Sequence, residues 1–88
     1  MDYGAPISYL VLSSGADVIS SDGERLGVVK RVLADKPANI FDGILIDVRT
    51  GPGGLRFVDA PEVAEIYERA VVLTLTAEEA QALRKHRS

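Results

Sequence analysis

The sequence predicts a mainly β domain, in which short antiparallel strands bend into a small barrel or sandwich finished by a short C-terminal helix. Two glycine-punctuated apolar runs carry most of this reading: Leu26 to Leu33, and Phe41 to Val48. Turn chemistry carries the rest. The first run is entered through Ser21, Asp22, Gly23 and Glu24, and the second leaves through Gly51, Pro52, Gly53 and Gly54, both of which suit tight connections between strands.

Taken in order, Ile7 to Leu12 follows Pro6 as an apolar arm. Tyr9, Leu12 and Ala16 fit one helical face, and Ile7, Tyr9 and Val11 fit a strand equally well, so this short run stays undecided by periodicity. Ser13, Ser14 and Gly15 end it, and Ala16 to Ser20 forms a short strand around Val18 and Ile19. Asp22 and Gly23 then tolerate the positive φ of a hairpin turn.

The second strand breaks strict alternation, because Val29 and Val32 are separated by the pair Lys30 and Arg31. A bulge, which adds one residue and bends the strand, returns both valines to one face. Asp35 to Asn39 is a polar loop, in which Pro37 forbids a continuing ladder. The third strand, Phe41 to Thr50, places Ile44, Ile46 and Val48 on one face and Leu45 on the other, and that second face needs cover. Leu55 to Asp59 returns antiparallel, Ala60, Pro61 and Glu62 reverse the chain, and Val63 to Glu68 and Val71 to Leu75 complete the strands. Thr76 to Glu79 is a capping box opening a terminal helix that docks through Ala80 and Leu83. Arg84, Lys85, His86 and Arg87 follow, as cations that complement the helix dipole and keep the end solvated.

Composition bounds the function classes. At 88 residues the chain is one domain, and a domain of this size buries only about 60–65% of the surface its unfolded form exposes, so a second copy is the simplest source of further burial. The absence of cysteine removes disulfides, thiolate metal sites and cysteine nucleophiles together. A net charge of −3 argues against direct binding of nucleic acid, which depends on lysine and arginine neutralising phosphates. The start lacks the pattern of a secretory signal, no run approaches the roughly 20 apolar residues of a membrane span, and a cytoplasmic location is expected. The glycine loop at 51–54 lacks the strand-to-helix setting and the lysine and hydroxyl of a phosphate cradle. Asp42, Asp47, Asp59 and Glu62 lie near strand ends, where two brought together could share a proton or bind a hard cation. Each has a simpler role at a turn or a solvated strand face, and His86 lies in a terminus without a visible partner. No catalytic, metal or cofactor residues are assigned, and an enzyme is not expected.

The ordered set Ser21-Asp22-Gly23-Glu24, Leu26-Gly27, Val29 and Val32, Phe41-Asp42-Gly43-Ile44, Arg56-Phe57-Val58, Val63 and Val71-Val72-Leu73-Thr74-Leu75 resembles the PRC-barrel family. That family is named for the cytoplasmic domain of the photosynthetic reaction-centre H subunit, and includes the C-terminal domain of the ribosome maturation factor. The resemblance covers roughly Asp17 to Leu75 and implies a small, highly bent, six-stranded antiparallel β-barrel. Its expected division is an N-terminal arm at 1–15, the barrel at 16–75, and a C-terminal helix with a basic tail at 76–88. Unlike those two members, the chain is expected to carry neither a transmembrane helix nor a preceding domain, and it resembles a stand-alone member. The resemblance carries no shared reaction and no binding residue set.

Three functions are therefore expected in descending order. First is a non-catalytic interaction and assembly module, a homodimer in which Tyr9, Leu10, Leu45, Phe57 and Val72 are covered by a second copy or another protein partner. Second is an adaptor for ribonucleoprotein complexes contacting them through Lys30, Arg31, Arg49 and Arg56. Third is a small-ligand or metal-binding barrel.

Overall fold

The computed structural model describes residues 3–49 and 54–83. Six strands form one sheet: β1 (Asp17–Ile19), β2 (Arg25–Asp35), β3 (Ile40–Val48), β4 (Gly54–Asp59), β5 (Val63–Ile66) and β6 (Ala70–Leu73). A short helix, α1 (Ala77–Ala80), follows. The order across the sheet is β4-β3-β2-β1-β6-β5.

The six strands match the expected number, and two details of the expected barrel need correction. β1 and β6 run parallel, with Val18 opposite Val71, so the sheet is mixed and not purely antiparallel. Nor does it close: β4 and β5 are its two edges, with no ladder between them. These edges are nonetheless consecutive in sequence, joined by the three-residue 3-10 turn Ala60–Glu62. The sheet must therefore curl until its ends approach. A parallel β1–β6 pair is non-local, and local strand signals do not encode its direction.

Irregularities in the long strands supply the curl. Val29 pairs with Ile46 and Arg31 with Leu45, so Lys30 is the extra residue of a bulge. A second irregularity, on β3 between Phe41 and Gly43, leaves Asp42 as its extra residue. A third shifts β1 against β2 between Val18 and Ile19. Bulges bend a strand and raise its twist, and on adjoining strands they let so short a sheet wrap a core. Inside the wrap lie Val18, Val29, Ile44, Ile46, Val58, Val71 and Leu73, each at most 1% exposed. Burying each such side chain stabilises by about 1.5–3 kcal/mol.

The arm that periodicity left undecided is extended, then turned. Ile7 N–H donates to the Ile66 carbonyl and Glu68 N–H to that of Ala5, both at 3.0 Å, while Pro6 forms an isolated bridge with Tyr67. The arm thus lies along the end of the β5 edge, held also by a Tyr3–Tyr67 ring contact at 5.7 Å. Beyond it the 3-10 turn Tyr9–Val11 brings Tyr9 onto Phe41, with ring centroids 4.9 Å apart and planes at 19°. The Tyr9 hydroxyl donates to Asn39 Oδ1 at 2.7 Å. The arm is a strap from β5 to the tip of the β2–β3 hairpin.

At the other end, the β1–β2 turn clasps the C-terminal segment. Gly23 supplies the positive φ, at +88°. Buried Ser20 donates its hydroxyl to Asp22 and accepts from Glu24 N–H at 2.9 Å. Asp22 also accepts from Ala77 N–H at 3.1 Å, and Ser21 N–H donates to the Leu75 carbonyl at 2.7 Å. The expected capping box forms: Glu79 N–H donates to Thr76 Oγ1 at 3.1 Å and Thr76 N–H to Glu79 Oε1 at 2.9 Å. Ala80 is buried in the core and Leu83 packs against it. The basic segment 84–88, with His86, lies outside the described residues, as do Thr50 to Gly53 of the glycine loop.

Candidate functional site

Residues directly opposite in a β ladder point to the same side, so the register of β2, β3 and β4 defines two faces. One is the core face of Val29, Ile44, Ile46 and Val58. On the other, Arg31, Leu45 and Phe57 lie in one cross-strand row, Val28, Asp47 and Leu55 in the next, and Leu33, Gly43 and Asp59 on the far side. Ile40, opposite Asp35, extends this face to the hairpin tip. It is the second face that the alternation of the third strand predicted. None of Val28, Leu33, Leu45, Leu55 and Phe57 belongs to the core cluster or packs against it.

Packing on this outer face is local. A Cβ placed on Gly43 would lie 3.0 Å from Phe57 Cζ, so the Phe57 ring lies across the bare glycine. Leu45 is 4% exposed, at the floor of a groove of about 180 Å³ that is also lined by Lys30, Arg31 and Leu55. Here the bulge has a second consequence. By inserting one residue between Val29 and Arg31, it returns the valines to the core and sets two consecutive cations, both exposed, on the same side above Leu45. Re-aiming a side chain in this way is a common use of bulges. Neither the Lys30 nor the Arg31 side chain makes an ion pair or hydrogen bond among the described residues.

The five residues expected at a self-association surface do not form one patch. Leu45 and Phe57 are cross-strand neighbours on the outer face. Tyr9 and Leu10 belong to the strap, where Leu10 is 45% and Val11 64% exposed. Val72 is half-buried on β6 opposite Ile19, on the far side of the sheet order. Ile40, 51% exposed, was missed from sequence because it precedes the run Phe41 to Val48 and adjoins a polar loop. The signal that finds it is parity, since it alternates with the core-facing Phe41.

The four expected cationic contacts also separate. Lys30 and Arg31 are exposed, whereas Arg49 pairs with Asp47 at 3.3 Å. Arg56 sits opposite Ile46, is 7% exposed, and donates from Nη1 to the Leu55 carbonyl at 3.2 Å. Two of the four are thus engaged within the chain. Of the carboxylates, Glu62 accepts from Asp59 N–H at 3.2 Å across the 3-10 turn, Asp47 is held by Arg49, and Asp42 is the exposed bulge residue of β3. Asp22, at the β1–β2 turn, has a displaced titration. The Ser20 hydroxyl and then the Ala77 N–H favour its charged form and hold it below the ordinary aspartate value.

No helix among the described residues is long and apolar enough to cross a membrane. None of the curated proteins compared matches the chain. The model of the PRC-barrel domain family matches residues 13–80, a span that runs from the end of the strap through all six strands to the last residue of α1. With its bulged, curled six-stranded sheet and that match over most of its 88 residues, the chain belongs to the PRC-barrel domain family.

Proposed function

We infer that this protein is a non-catalytic interaction module that associates with itself. The observation that carries the reading is the outer face of β2, β3 and β4, where Val28, Leu33, Leu45, Leu55, Phe57 and Ile40 form an apolar band outside the core cluster. In a domain this small, apolar side chains spent on a second face are withdrawn from the core; Leu45 is already covered within the chain, and a partner that covers the half-buried Val28, Leu33, Leu55 and Phe57 and the exposed Ile40 adds the remaining burial. The exposed Leu10 and Val11 of the strap add apolar surface at another point of the molecule. Self-association supplies such a partner at any concentration where the chain meets its own copies.

The test is the molar mass in solution, measured by light scattering and sedimentation from about 5 to 300 μM. Twice the 9.4 kDa chain mass, reached with a concentration dependence, is the expected result. A mass of 9.4 kDa throughout that range overturns the reading. The ribonucleoprotein adaptor keeps only Lys30 and Arg31 as unengaged contacts from its expected set, and the geometry favours it less.

A further inference from the structure

We propose that two copies pack face to face through the outer surface of β2, β3 and β4, related by a two-fold axis that sets the Lys30–Arg31 pair of each copy against Asp35 and Asp59 of the other. This rests on the self-association reading and goes beyond it by naming the surface and its alignment. The face is not uniformly charged. Asp47 of this face is matched by Arg49 at 3.3 Å; outside that pair, the cations are the two that the bulge places above Leu45, and the carboxylates in register on the face are Asp35, opposite Ile40, and Asp59, opposite Gly43. All four side chains belong to exposed residues. Arg31 and Asp35 are four residues apart on β2, which along a strand is about 13 Å.

An isologous interface must be complementary to itself: what one end of the patch presents, the other end must accept. This face meets that condition in both of its chemistries. The apolar band runs from Ile40 at the hairpin tip through Leu33, Phe57 and Leu45 to Leu55. When two such bands are laid antiparallel, the exposed Ile40 of one copy comes over the groove of Leu45 and Leu55 in the other. The same rotation brings cations over carboxylates twice, once on each side of the axis. A parallel stacking would instead oppose like charges, which costs several kcal/mol in a contact. The overall charge of −3 makes this alignment matter, since two acidic copies repel unless cations such as Lys30 and Arg31 are set against carboxylates.

Reciprocal charge exchange tests the arrangement. One variant carries Lys30→Glu and Arg31→Glu, the other Asp35→Lys and Asp59→Lys, and circular dichroism checks that each remains folded. Each alone is expected to dissociate at least about tenfold more readily than the parent chain, a change equivalent to ~1.4 kcal/mol. Mixed one to one, they should recover a dimer, identified as the heterodimer by native mass spectrometry, because exchanged ends again meet opposite charge. A parent chain that is monomeric removes the self-association reading itself. A dimeric parent whose two variants dimerise undiminished keeps that reading and overturns this face. Variants that are folded monomers and stay monomeric when mixed overturn the two-fold alignment.

Discussion

Gly27→Ala probes the ladder on which the candidate surface depends. Gly27 is buried opposite Val48, and a Cβ built there would lie 2.0 Å from the Asp47 carbonyl oxygen, 2.9 Å from its carbon and 3.0 Å from Val48 Cα. All three are backbone atoms of β3, so no side chain can swing away and β2 must part from β3 by roughly 1 Å. Overpacking of this kind costs about 1–3 kcal/mol. A displacement of that size also breaks one or two neighbouring ladder hydrogen bonds, each worth about 1 kcal/mol net. Restriction of the unfolded chain returns about 0.4–1 kcal/mol. The net loss is ~3 kcal/mol, which in a domain of this size lowers Tm by roughly 12–24 °C. Thermal unfolding followed by circular dichroism reads it directly. Asparagine separates the steric cause from a conformational one: at Gly23, where φ is +88° and nothing lies within 4 Å, it should be nearly tolerated, whereas at Gly27 it should be worse than alanine. If Gly27→Ala melts within about 3 °C of the parent chain, the close approach of β2 and β3 is wrong. The register that places Lys30 and Arg31 above Leu45 then loses its support.

Further outcomes follow from other contacts. Because Asp22 is held below the ordinary aspartate value in the folded chain, its contribution is present above the unfolded pKa of about 3.9 and is lost as pH falls through the lower folded value. Asp22→Asn should therefore reduce stability at pH 7 and flatten the loss seen as pH falls below the unfolded aspartate value, and an unchanged acid profile in denaturant titrations would refute the Ser20 and Ala77 contacts as its cause. Thr76→Ala removes the cap of α1 and should cost about 0.5–2 kcal/mol in urea unfolding, with Thr76→Ser nearly neutral. Tyr9→Ala removes the Phe41 stack and the Asn39 hydrogen bond. It should cost about 1–2 kcal/mol and speed amide exchange at Ile7 and Glu68, and unchanged exchange there would show that the strap is held elsewhere.

Where the deciding interactions are near in sequence, the chain announced its structure. The Asp22-Gly23 turn, the bulge at Lys30, the parity of Ile44, Leu45 and Ile46 and the Thr76–Glu79 capping box all depend on residues within a few positions of one another. Backbone sterics and side-chain alternation act at that range. The second apolar face was legible for the same reason, through Leu45 and Phe57, although its extension to Ile40 was not. What only the tertiary structure decided are relations between distant segments. The parallel pairing of β1 with β6, the open seam between β4 and β5, and the strap from β5 to Phe41 each join residues whose local sequence fits several partners equally well. The fate of the cations belongs here too. Arg31 and Arg56 are alike as residues, and only the cross-strand neighbour, Leu45 for one and Ile46 for the other, puts the first on the outer face and buries the second. Strand propensity and turn chemistry fix which segments extend, whereas the direction and register of non-local pairs are set by the burial they achieve together.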